Sequence, residues 1–139
     1  MSHVTRWIAR GAAAALLVAG FASAQAAMVD PAQDPVNVGP DIYKVILENE
    51  RVRVSEVTFK PGARIGMHSH PDHLAYILSE GTLQLSYPDG RTQDINAKPG
   101  QIMWTKAESH AAKNLGQTEA RLLVVELKEP APSTAATVH

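Results

Sequence analysis

Between Ile42 and Leu127 no stretch keeps apolar residues at a 3.6-residue spacing; they come instead in short runs and alternations cut by turn signals. Ile42 to Leu47 is rich in β-branched residues and stops at Glu48-Asn49-Glu50. Arg51 to Phe59 (RVRVSEVTF) alternates polar with apolar positions and is closed by Pro61-Gly62. Ile65 to His70, Leu74 to Leu78 and Thr82 to Tyr87 have strand length, and Pro88-Asp89-Gly90 predicts a hairpin leading into Arg91 to Ile95. Pro99-Gly100 precedes Gln101 to Thr105. Arg121 to Leu127 (RLLVVEL) is apolar on both faces, as a buried strand would be. Seven or eight short strands, with turns every ~8 to 12 residues and no internal repeat, predict an all-β sandwich or barrel.

The ends read differently. Arg6 and Arg10 precede a short apolar run, Gly11 to Ala22, and then the small residues of ASAQAA. This is the layout of a secretion signal peptide over residues 1–26, with cleavage after Ala24 or Ala26 fitting equally well. An apolar run of about 12 residues is too short to span a bilayer, which needs roughly 20. Residues 28–41 hold three prolines and read as a Pro-rich arm, residues 42–127 as the domain, and residues 128–139 as a loose polar tail.

Without its signal the chain keeps about 115 residues, enough for one core and too few for two. The signal takes Arg6 and Arg10 with it and leaves a formal charge of about −3, so neither nucleic acid nor an anionic membrane is an expected partner. Export would place the chain in an oxidising compartment, periplasmic or secreted, yet it has no cysteine. Any metal site must therefore use histidines and carboxylates.

Three of the six histidines fall within MHSHPDHLAY, Met67 to Tyr76. On a strand, His68 and His70 project from one face roughly 6.5 to 7 Å apart, close enough to converge on one ion. Pro71 ends the ladder, and His73 opens the next strand from where it can turn back. The best distant partner is His110 in ESHAAKN. Such imidazoles suit one divalent transition-metal ion, Fe, Mn, Zn, Ni or Cu, and leave positions open for water or substrate. A pH-sensitive cluster of histidines is the non-metal alternative.

Gly62, five residues, His68-Ser69-His70 and later Gly81 resemble the first motif of the cupins: Gly, five residues, His-x-His, three or four residues, Glu, six residues, Gly. His110, three residues, Asn114 resembles the end of the second. The likeness runs from about Ile42 to Leu127 and is closest to the small single-domain cupins. It implies a double-stranded β-sandwich or barrel of the jelly-roll type, a metal held inside by the motif histidines, and pairing into homodimers. Two departures matter. Where the family places its glutamate ligand this chain has Leu74 or Ala75, or, with a loop one residue shorter, His73. In the second motif Thr105 and Ala107 replace Pro and Gly, and Pro99 stands five residues before Thr105. The expected ligand set is then His68, His70 and His110 with His73 as the fourth, an all-imidazole site that adds no negative charge and favours anionic ligands.

Strand parity assigns the neighbours. Arg64 and Gly66 should share the face of His68 and His70, with Ile65 and Met67 turned away; Ala75 and Ile77 should follow His73 inward. Arg64 is either a substrate-carboxylate clamp or a rim arginine in water, and Trp104, on the face of Ile102, either a pocket wall or a core residue. Glu108 and Glu80 are either general bases or solvated carboxylates. Ile65, Met67 and the outer face of RLLVVEL need cover, which a second copy would give. The leading expectation is an exported metal-dependent enzyme, oxygenase- or isomerase-like, acting on a small molecule. A non-catalytic periplasmic module that binds or senses a metal or small ligand is the alternative.

Overall fold

The structure, a computed structural model, describes residues 30–128, so the expected signal peptide and nearly all of the tail lie outside the described residues. Strands form where the alternating runs were read: β1 (Tyr43–Glu48), β2 (Val52–Phe59), β3 (Arg64–His70), β4 (His73–Ile77), β5 (Gly81–Ser86), β6 (Thr92–Ala97) and β7 (Ile102–Thr105). One more, β8 (Glu108–Asn114), was not expected, and β9 (Ala120–Leu127) closes the set. All pair antiparallel in two sheets, ordered β1-β2-β9-β4-β7 and β3-β8-β5-β6. The turn glycines Gly62, Gly90 and Gly100 take φ of 74°, 85° and 84°, which only glycine adopts freely.

The sheets pack face to face over Tyr43, Val57, Phe59, Leu122 and Val124 from one and Ile65, Leu83 and Ala112 from the other. They approach closely where β5 and β9 begin. A Cβ on Gly81 would lie 2.6 Å from that of Ala120, so the motif glycine is needed for that approach.

The structure fills in one expectation and corrects another. The arm at 28–41 contains a 3-10 turn over Pro31–Gln33 and a short helix α1 over Pro35–Val38. Each begins at an Asp-Pro pair, with Asp30 accepting from the Ala32 amide and Asp34 from the Val36 amide, both at 2.9 Å. Pro35 is buried, and Val36 and Val38 pack on the core. Along β3, Ile65 opposes Ala112 and His68 opposes His110, three steps on one strand against two on the other. This bulge resets the alternation, so Ile65 and His68 both face inward while Arg64 and Gly66 are exposed. Arg64 therefore does not share the face of the histidines. Ile65, buried in the core, does not need a second copy to cover it.

Candidate metal centre

The histidines arrive from both sheets. β3 carries His68 and His70, and β8 places His110 directly opposite His68. Pro71-Asp72 is the corner at which the chain crosses to the other sheet, where His73 opens β4. The corner is pinned by Asp72, whose carboxylate accepts from the Ala107 amide and whose carbonyl accepts from the Leu127 amide, both at 2.8 Å. His68, His70 and His110, all buried, bring one ring nitrogen each to within 4.8 Å of one another. His73 is buried too but stands outside that trio, its ring 4.7 Å from the ring of His70.

Each imidazole is oriented through Nδ1. That of His68 donates to the Gly66 carbonyl at 2.8 Å, the bulge having turned this carbonyl toward it, and that of His73 donates to the Pro71 carbonyl at 2.8 Å. His110 Nδ1 donates to Glu108 at 2.9 Å, and His70 Nδ1 to Glu126 at 2.6 Å. Because carbonyls and carboxylates only accept, all four rings carry a proton on Nδ1, which leaves Nε2 as the nitrogen that can meet an ion. Outer carboxylates and carbonyls that fix histidine tautomers are the usual surround of a metal site. His68 Nε2 has no partner at all, an orphan whose burial costs about 1 to 3 kcal/mol. The residues thus fit a metal ion that accepts imidazole nitrogens.

Burial also sets the charges. It pushes His68 down to about 4, against the opposing Gly66 bond, with His70 adding to the depression. His110 falls to about 3, by burial first and then by His68 and His70, and His73 is lowered chiefly by burial. These three rings are neutral at pH 7, as ligation requires. Glu126 is buried, which would raise it, yet hydrogen bonds from His70 and Arg53 hold it below the ordinary carboxylate range. Arg53 lies directly across from Glu126 on β2, donates to it from Nε at 2.6 Å, and donates from its other arm to Asp34 at 2.7 Å. A continuous chain, His70–Glu126–Arg53–Asp34, ties the site to the cap of α1.

The other expected residues divide. Glu108 is at the site, half-buried, held by His110 and raised by burial above a normal carboxylate. Glu80 is not; it lies exposed in a separate crevice with Gly81 and Thr118. Trp104 and Ile102 share a face as expected, but the outer one, 55% and 66% exposed, while Met103 and Thr105 look into the barrel. Ala75 and Ile77 do follow His73 inward. Asn114 of the second motif serves the fold, donating to the Phe59 and Thr118 carbonyls at 2.9 and 2.8 Å and accepting from the Gly116 amide. Three site residues went unread: Tyr43, whose hydroxyl is 3.5 Å from His70 Nε2, Glu126 and Arg53. The last two carried a legible signal, since each is a charge on the inward parity of a strand, Glu126 with Leu122 and Val124, Arg53 with Val57 and Phe59.

Beside the histidines a cavity of about 70 Å³ opens between the sheets. Tyr43, Thr105 and Glu108 join His70, His73 and His110 in lining it, and the remaining wall is apolar. A divalent ion on the histidines would supply Lewis acidity to whatever occupies this space. The protein's own groups there are a phenol kept protonated by burial at Tyr43 and a carboxyl of raised basicity at Glu108, one able to donate a hydrogen bond and one to accept a proton.

Residues 55–126 match the cupin domain family. No curated protein matches the chain. Among solved structures it is similar to a cupin domain from Bordetella pertussis Tohama I, 30% identical, over 63% of this chain and 93% of that one, with a TM-score of 0.59. It is also similar to an uncharacterized conserved protein with a double-stranded β-helix domain from Klebsiella pneumoniae, 26% identical, over 63% of this chain and 84% of that one, with a TM-score of 0.52. Two packed antiparallel sheets, the His-x-His pair on β3 with His110 opposite, and a family match over half its length place the chain in one family: it is a small single-domain cupin.

Proposed function

We propose that this cupin holds one divalent transition-metal ion through His68, His70 and His110, with His73 taking the place of the family's glutamate, and acts as an oxygenase- or isomerase-like enzyme on a small molecule. The observation that carries the reading is the shared anchoring: four Nδ1–H groups each held by an outer acceptor, which leaves the Nε2 atoms to meet an ion, that of His68 being buried without a partner. The adjoining cavity supports turnover, because it leaves space for a ligand next to the histidines.

Cobalt loading tests it. Co(II) protein with an open coordination position should change its visible spectrum when azide is added. A spectrum indifferent to azide would mean a site closed by four protein ligands, and would support the non-catalytic metal-binding module instead.

Two further readings accompany this one. Export to the periplasm or medium follows from the pattern at residues 1–26 and should appear as a mature N-terminus at Gln25 or Ala27. Homodimer formation is favoured by the outer face of the five-stranded sheet, where Leu74 lies opposite Trp104 and Tyr76 opposite Ile102, with Leu123 and Val125 across the next strand. Tyr76, Ile102 and Trp104 are all exposed there. The double substitution Ile102→Glu, Trp104→Glu is expected to convert a dimer to a monomer in analytical ultracentrifugation with the fold intact. An unchanged sedimentation coefficient would place any association elsewhere.

A further inference from the structure

The lining runs along β4 from His73, paired with Thr105, to Ile77, paired with Leu122, and Leu85 and Ala97 belong to its apolar wall. At roughly 10 to 15 Å³ for each water-sized body, a cavity of about 70 Å³ admits about five of them, the bulk of one small ring or short branched chain. No lysine or arginine lines it. The nearest inward arginine, Arg53, is spent on Glu126 and Asp34, and Arg64 stands exposed on the far side of the bulge. The charged side chain other than histidine in the lining is Glu108, an acid. A ligand with two anionic groups would have to bury the second without a partner and near a carboxylate, which is costly.

We infer that the site takes a compact ligand with an apolar body and a single hydroxyl-type head, the head directed at the histidines with Tyr43, Thr105 and Glu108 in reach, and that it rejects dianionic acids. This narrows the sequence-based expectation of anionic ligands: the ion's charge can favour one anionic head, and nothing in the wall receives another. The placing of the head rests on the metal-site reading; the apolar selectivity does not.

Phenol and malonate, which have the same number of non-hydrogen atoms, make a matched pair of probes for calorimetric titration into the protein after loading with zinc. Phenol should bind at least tenfold more tightly than malonate. Ala97→Leu, which puts a larger side chain into the apolar wall, should weaken phenol at least tenfold while zinc content stays the same. Leu85→Ala reads the same wall in the opposite sense, and should tighten 2-naphthol at least fivefold. Malonate binding as tightly as phenol, or affinities indifferent to both substitutions, would overturn the inference. Running the titrations on zinc-free protein separates the two readings: phenol selectivity without zinc uptake would sink the metal reading alone, and zinc uptake without phenol selectivity would sink the cavity assignment alone.

Discussion

Glu126→Ala is expected to cost about 3 to 5 kcal/mol of folding stability and to lower metal affinity about 10- to 100-fold. Glu126 is 3% exposed and accepts from two donors of different sheets, His70 Nδ1 and Arg53 Nε, each at 2.6 Å. Removing the carboxylate leaves Arg53 with Asp34 alone and strips its Nε of an acceptor in a largely buried position, and breaking one partner out of such a network is costly. It also removes the acceptor that holds His70 Nδ1–H, so nothing fixes the ring with Nε2 toward the site. Glu126→Gln keeps the shape but turns one acceptor into a donor facing donors, and should fall between. Urea unfolding and chelator competition on the two variants give the numbers. A Glu126→Ala protein with unchanged stability and affinity would mean that the chain from His70 to Asp34 does not support the site.

Acid should dismantle the metal-free protein at unusually mild pH. In the unfolded chain these histidines titrate near 6.5, whereas burial holds His68 down to about 4 and His110 to about 3, with His73 also lowered. Between those limits the unfolded state binds more protons than the native state, so stability rises with pH. The contribution is therefore complete above about pH 6.5 and is lost as pH falls through 5 toward the folded values. Burial is the first cause of the shift at both His68 and His110, so the loss across that window is a substantial part of a small domain's stability, about 5 to 15 kcal/mol. Urea midpoints of chelator-treated protein at pH 7.5, 6, 5 and 4 should fall steeply, by up to about 1.4 kcal/mol per pH unit for each proton taken up. A flat profile down to pH 4 would contradict the burial of neutral imidazoles.

The all-β class, the turns at Gly62, Gly90 and Gly100, and the shared face of His68 and His70 were legible because each follows from local chemistry: period-two alternation, glycine at positive φ, and imidazoles at i and i+2; His110, distant in sequence, was supported by the likeness to the second cupin motif. What escaped was non-local. β8 reads ESHAAKN, without one β-branched residue, and is a strand because β3 and β5 pair with it on both sides. The bulge between Ile65 and His68 adds a residue that only the register against β8 reveals, and it reversed the parity on which the placement of Arg64 depended. Trp104 failed for a related reason, since alternation separates two faces without saying which one is inside. Glu126 and Arg53 were missed although parity was sufficient for them, RLLVVEL having been read as apolar throughout when its one carboxylate lies among inward residues.

Metal content decides whether His68, with His70, His110 and His73, holds an ion. Prepared without a metal-affinity tag and analysed by inductively coupled plasma mass spectrometry, the wild-type chain should carry close to one ion per chain. His68→Ala should carry almost none, and His73→Ala should keep the ion with weaker retention against a chelator. A wild-type protein that arrives empty, and takes up no ion when zinc, iron, manganese, nickel and copper are each offered, would contradict the account.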